Sequence, residues 1–166
     1  MVINQNDLWL RAPINNMLKD KVREHGVSHG LGEAGYDIRI KQSIHFFNDD
    51  GVRRVGVMYP DGPDFEEGRF AIASTIEEFD MPSNLVGIVH DKSTWARCGL
   101  SVFNTVIEPG FIGGLTLELV YHGNGELIIP AGAGIAQVIF HELAEKASYN
   151  GKYQHQSSDP VGPRFK

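Results

Sequence analysis

From Tyr36 onward the chain is a succession of short runs rich in β-branched, aliphatic and aromatic residues, and this spacing limits the fold more than any other feature. The runs are YDIRI, SIHFF, RRVGVM, RFAIAST, LVGIVH, GLSVF, TVIE, LTLELVY, ELIIP and IAQVIFHEL. Turn formers separate them: Asn48-Asp49-Asp50-Gly51, Pro60-Asp61-Gly62-Pro63, Pro109-Gly110, Gly113-Gly114 and Gly123-Asn124-Gly125. Many short strands at this interval predict a mainly β fold, a sandwich, jelly roll or distorted barrel. Before them, Asp7 is placed to cap a helical segment whose apolar residues Leu8, Ile14, Met17, Leu18 and Val22 recur at roughly helical spacing, with Pro13 breaking it in two. The stretch Gly26 to Gly35 reads as a glycine-rich loop, and the polar tail after Ala147 as a flexible arm.

A chain of 166 residues, 42% hydrophobic and 22% charged, buries one substantial core, so a single domain is expected. The formal net charge of −6 lacks the basic footprint that a polynucleotide ligand demands, whereas a small phosphorylated molecule needs only a few local cations. No apolar run approaches the ~20 residues of a membrane span, and the N-terminus carries no signal-peptide pattern. A soluble, cytoplasmic protein is therefore expected, with neither a nucleic-acid polymer nor a membrane as partner. The single cysteine, Cys98, can form no intrachain disulfide.

Absences narrow the chemistry. Zinc deaminases activate water with a His-x-Glu and Pro-Cys-x-x-Cys arrangement, which one cysteine cannot supply. The glycines at 30, 32 and 35 precede no Gly-Lys-Ser/Thr, so a P-loop is unsupported. The seven histidines show no compact ligand spacing, and no protein-bound transition metal is expected.

Two segments carry a positive signal. In DKSTWARCGLSVF, Ser93 is placed to cap a short turn running through Arg97. Lys92 and Arg97 flank that turn, and Ser93 and Thr94 add hydroxyl donors, so it reads either as a phosphate grip or as an ordinary capped surface turn. In TVIEPGFIGGLTLELVY, strand alternation puts Thr116, Glu118 and Val120 on one face and Leu115, Leu117 and Leu119 on the other. At a pocket wall Glu118 would have a raised pKa and could shuttle protons near neutral pH; on a solvated face it would be an ordinary surface acid. Glu108 ends the preceding run at a Pro-Gly turn, where a carboxylate also serves as a turn acceptor.

Taken in order, KSTWARCGLSV, IEPGFIGGLTLEL and IPAGAGIAQVIFHEL resemble the successive core motifs of the dCTP deaminase branch of the trimeric dUTPase superfamily. Upstream, AGYDIRI is similar to that family's early strand; downstream, Tyr149 and the segment Lys152 to Gln156 resemble its tail motif. The resemblance implies a distorted jelly-roll or dUTPase-like barrel with a short N-terminal helical segment. It further implies a homotrimer with active sites at subunit boundaries, a domain over 1–156 and a lid over 157–166. By the same resemblance, Lys92, Ser93, Thr94 and Arg97 face the phosphates and the catalytic water, with Gln137 near the phosphates. Glu118 falls on the catalytic glutamate, with Arg97 and Ser93 placed to hold the water. Tyr149, Lys152 and Gln156 close over the nucleotide, Gln156 near the base. The activity implied is zinc-free hydrolytic deamination of a deoxycytidine nucleotide, dCTP to dUTP and ammonia, with Mg2+ carried in on the triphosphate.

Two departures from the family pattern stand out. The loop SVFNTVIE is shorter than usual and lacks the small-residue pair that shapes the base pocket, leaving Asn104, Thr105 and Val106 to line it. Glu108 replaces the usual aspartate. Three alternatives thus stand beside the deaminase. One is a bifunctional enzyme that also releases pyrophosphate, another a pure dUTPase. The third is a catalytically idle trimer that senses nucleotides.

Overall fold

The structure is a computed structural model, and it describes residues 1–165. In chain order its elements are β1 (Val2–Ile3), α1 (Gln5–Arg11), β2 (Val22–Glu24), β3 (Val27–Leu31), β4 (Tyr36–Arg39), β5 (Ser43–Asp49), β6 (Val52–Tyr59), β7 (Gly62–Glu67) and β8 (Phe70–Asp80). There follow β9 (Leu85–Asp91), α2 (Ser93–Arg97), β10 (Leu100–Val102), β11 (Val106–Ile107), β12 (Ile112–Tyr121), β13 (Leu127–Ile129) and β14 (Gly134–Glu142). Each β-rich run from Tyr36 onward has become a strand, because alternation gives each one an apolar side to bury.

The strands form three antiparallel sheets. The largest runs β11-β9-β14-β4-β3-β2, with β1 also paired to β14; the others are β10-β12-β8 and β13-β5-β6-β7. Tyr36, Ile38, Phe46, Phe79 and Phe140 are fully buried between them. On β12 the inward residues Leu117 and Leu119 are buried, worth about 2 kcal/mol each. Glu118 stands between them on the opposite face. The sheet therefore holds Glu118 in place by burying its neighbours.

Several expectations at the N-terminus are corrected. The helix ends at Arg11, its N-cap is Asn4 rather than Asp7, and no side chain caps it. Ala12 turns left-handed at φ 44°, and Pro13 cannot continue the helix. Leu8, Ile14 and Met17 are buried, but only Leu8 lies in the helix, and Val22 belongs to β2. The expected loop from Gly26 to Gly35 contains β3 instead. Gly30 is needed there for closeness, since a Cβ would stand 2.5 Å from the Asp20 carbonyl oxygen. Likewise Gly113-Gly114, read as a turn, lies inside β12, and β7 occupies residues given no strand by pattern. Among the described residues no helix is long and apolar enough to cross a membrane.

Candidate active site

The β8–β12 ladder builds the first half of the site. Glu118 pairs with Ile72 and Thr116 with Ser74, so these four side chains rise from one face. Ile72, Thr116 and Glu118 floor a cavity of about 590 Å³ walled by Phe70, Thr105, Val106, Glu108, Phe111 and Leu115 and roofed by Tyr149, Tyr153, Gln156 and Val161 to Pro163. The lining is mostly apolar. Within it Glu118 is half-buried, and its Oε2 is shielded from solvent without a hydrogen-bond partner among the described residues. Burial raises the Glu118 pKa above the ordinary 4.5, offset in part by a backbone hydrogen bond. The strand face expected to carry an acid thus carries a desolvated one.

The chain after β14 returns to this cavity. The Tyr149 amide donates to the Pro109 carbonyl at 2.7 Å, and its ring meets Phe111 edge-on with centroids 6.1 Å apart. Gln154 is locked on both sides: its Oε1 accepts from the Ile112 amide at 2.9 Å, and its Nε2 donates to the Gly110 carbonyl at 2.8 Å. Gln156 then bridges to Gly113, and its Nε2 donates to Thr116 Oγ1 at 2.7 Å. Beyond it, Val161, Gly162 and Pro163 complete the roof. Lys166, the last residue of the expected lid, lies outside the described residues.

A second cavity, about 520 Å³ and polar, opens beside the largest sheet and shares no lining residue with the first. Lys92, Ser93, Thr94 and Gln137 line it together with Lys21, Arg23 and Ser28. Its organiser is Asp37, whose strand pairs it directly with Gln137. Asp37 Oδ2 lies 2.5 Å from Lys92 Nζ and accepts from Ser28 Oγ at 3.0 Å, while Gln137 Nε2 reaches Oδ1 at 3.3 Å. Lys92 is therefore partnered within the chain, and the exposed Ser93 and Thr94 hydroxyls stand beside it. One local expectation is corrected: α2 begins at Ser93, so Lys92 holds the N-cap position and no side chain caps the turn.

A family profile described as dCTP deaminase-like matches residues 11–143. The dCTP deaminase of Campylobacter curvus is 35% identical, the match covering 92% of this chain and 93% of that protein. This chain belongs to the dCTP deaminase-like family. The dCTP deaminase of Nitratiruptor is 36% identical over 90% of this chain and 92% of its own length, and that of Campylobacter jejuni 39% over 79% and 78%. Among solved structures, EIAV dUTPase superposes with a TM-score of 0.51 at 18% identity, over 80% of this chain and 90% of that one. The Staphylococcus bacteriophage 80alpha dUTPase gives 0.53 at 15%, over 84% and 94%. A phage phi11 dUTPase mutant with a structural Mg(II) ion gives 0.52 at 15%, over 86% of this chain and 94% of that one. These likenesses establish the dUTPase-like fold.

Within that family frame the residues singled out by sequence fall into two groups. Thr105, Val106, Glu108, Glu118, Tyr149 and Gln156 share the apolar cavity; Lys92, Ser93, Thr94 and Gln137 share the polar one. Arg97 ends α2, exposed, and lines neither cavity. Asn104 is exposed in the loop between β10 and β11, also outside both. Lys152 turns toward the tail, its ammonium 5.2 Å from the Tyr153 ring and bonded to the Arg164 carbonyl. Sequence reasoning gave no role to Thr116, Phe111, Tyr153 or Asp37. The available signal for Asp37 was an acid set between the apolar residues Tyr36 and Ile38 of a strand, where burial demands a partner.

Proposed function

We propose that the chain hydrolyses the 4-amino group of dCTP, giving dUTP and ammonia, with Glu118 as the proton-transfer group. The carrying observation is the Glu118 carboxyl, desolvated in an apolar cavity with one oxygen unpartnered. Such a carboxylate accepts a proton from water attacking C4 of cytosine, delivers a proton to N3, and then helps protonate the departing amino group. The atoms balance as dCTP plus water to dUTP plus ammonia. Orientation and exclusion of bulk water supply the remaining acceleration, with Tyr149, Gln156 and the tail closing the roof as the lid.

The reading is of a homotrimer. It is supported by the separation of the polar and apolar cavities, which share no residue, and by Arg97, which lines neither. A neighbour's Ser93, Thr94 and Arg97, brought against the Glu118 cavity, would supply the grip on phosphate and water, with that neighbour's Lys92 and Gln137 behind them. Asn104 and Lys152, outside the cavity here, would meet the nucleotide only from its rim. Mg2+ would travel on the triphosphate, held by phosphate oxygens and water. Among the described residues no three His, Cys, Asp or Glu side chains gather as a metal-ligand set. The setting is cytoplasmic nucleotide metabolism.

One observation favours a second reading: Glu108 lines the same cavity as Glu118, placing a further carboxylate near the nucleotide. A bifunctional enzyme would use it to activate water for release of pyrophosphate. Incubation with dCTP and dUTP, scoring ammonia and pyrophosphate together, separates the readings. Ammonia alone from dCTP is the expected result, both products indicate the bifunctional form, and pyrophosphate from dUTP alone contradicts the proposal. In the same assay Glu118→Gln should lower ammonia release by ~100-fold or more while nucleotide affinity stays near wild type.

A further inference from the structure

Two residues before Glu118, Thr116 pairs across the ladder with Ser74, and the chain from Gln156 to Val161 lies directly over that pair. Ser74 Oγ donates to the Ser158 carbonyl at 2.7 Å. Thr116 Oγ1 accepts from the Val161 amide at 3.0 Å and from Gln156 Nε2 at 2.7 Å. A hydroxyl oxygen has two acceptor positions, so both are filled, one by the strap backbone and one by the amide at the cavity roof.

The seat is built from beneath as well. Ser74 is fully buried, with Gln42 Nε2 donating to its Oγ at 2.9 Å and its amide donating to Gln42 Oε1 at 2.8 Å. Lys41 Nζ adds bonds to the Ser158 carbonyl at 3.0 Å and to Asp159 Oδ1 at 3.1 Å. The strand surface is also cut for the strap: a Cβ on Gly113 would stand 2.6 Å from the Gln156 carbonyl oxygen, and one on Gly114 would stand 3.2 Å from that of Ser157.

We propose that Ser74 and Thr116 are positioning residues for the reaction: they seat the C-terminal strap, and through Thr116 they aim the Gln156 amide into the Glu118 cavity only when the strap is down. This rests on the proposed deaminase reading for its kinetic part, while the seating itself is independent of it. Opening the strap removes the Val161 and Ser158 contacts and frees Gln156 together with them. The base-facing amide and the cover over the cavity are thereby one mechanical unit.

The test compares Thr116→Val, Thr116→Ser and Ser74→Ala in the full-length protein, by amide hydrogen exchange over residues 156–163 and by steady-state ammonia release from dCTP. Thr116→Val should speed exchange at the Val161 amide by about tenfold and lower kcat by a similar factor, since each lost bond is worth about that much. Thr116→Ser, which keeps the oxygen, should restore both readouts, and Ser74→Ala should speed exchange with a smaller effect on kcat. Unchanged exchange in Thr116→Val, or a serine variant as impaired as the valine one, overturns the proposal. Were the wild-type protein to release no ammonia, the functional reading would fall, and exchange in the same variants would still decide whether the hydroxyl pair seats the strap.

Discussion

Glu118 and Asp37 are both acids on strands, and the fold gives them opposite settings. Glu118 faces an apolar cavity and favours its neutral form, so its pKa rises above 4.5. The base form is the ionised one, so kcat/KM for dCTP should fall on the acid side along a limb centred above the ordinary glutamate value. For stability, the neutral carboxyl's contribution is complete below the unfolded value of 4.5 and is lost as pH rises through the higher folded value. Glu118→Gln cannot ionise, so it should resist urea better than wild type at mildly alkaline pH, an advantage that vanishes on acidification below 4.5; the same difference at both pH values would contradict this. Asp37 is instead held by Lys92, with side-chain exposures of only 4% and 12%. Asp37→Asn leaves a buried ammonium without its counter-charge and should cost about 3 kcal/mol in urea unfolding. The exposed Lys21–Glu33 pair, 35% and 85% exposed, should cost under ~1 kcal/mol when broken. Alternation alone put Glu118 on the outer face of its strand. It could not say whether water or a cavity lay there, because the walls come from Phe70, Thr105, Phe111 and the distant tail.

At the scale of elements, the strands after Tyr36 were legible because period-2 burial and turn residues agree along the sequence. The first 35 residues were not. Leu8, Ile14, Met17 and Val22 have helical spacing, yet Ala12 and Pro13 turn the chain away, and burial of these side chains is set by sheets far along the sequence. Gly30 and Gly113 show the same limit: each looks like a turn signal locally, and each is a point where another backbone comes close. The turn proposed to grip phosphate stood out as a candidate in KSTWAR, while the engagement of Lys92 with Asp37 needed the β4–β14 and β9–β14 registers to be known. Gly113→Ala tests the strap packing at this scale. Its Cβ would collide with Gln156 at a backbone φ of +136°, so protease cleavage within residues 156–163 should speed up by about tenfold. Equal cleavage rates in the variant and wild type would mean that the strap does not rest on β12.

At the scale of the whole molecule, the proposed active site requires the apolar cavity with Glu118 and the exposed Arg97 turn to come together from different subunits. The proposed homotrimer rests on the family resemblance, since no local pattern in the residues encodes which surfaces meet. The most direct measurement mixes two inactive variants, Glu118→Gln and Arg97→Ala, allows their subunits to exchange, and follows ammonia release from dCTP. Each variant alone should be inactive. In a random mixture about a quarter of the sites would join an intact Glu118 to a neighbour's intact Arg97, so the mixture should recover about a quarter of the wild-type rate. A mixture that stays inactive after confirmed subunit exchange would contradict a deaminase site shared between subunits and built on Glu118.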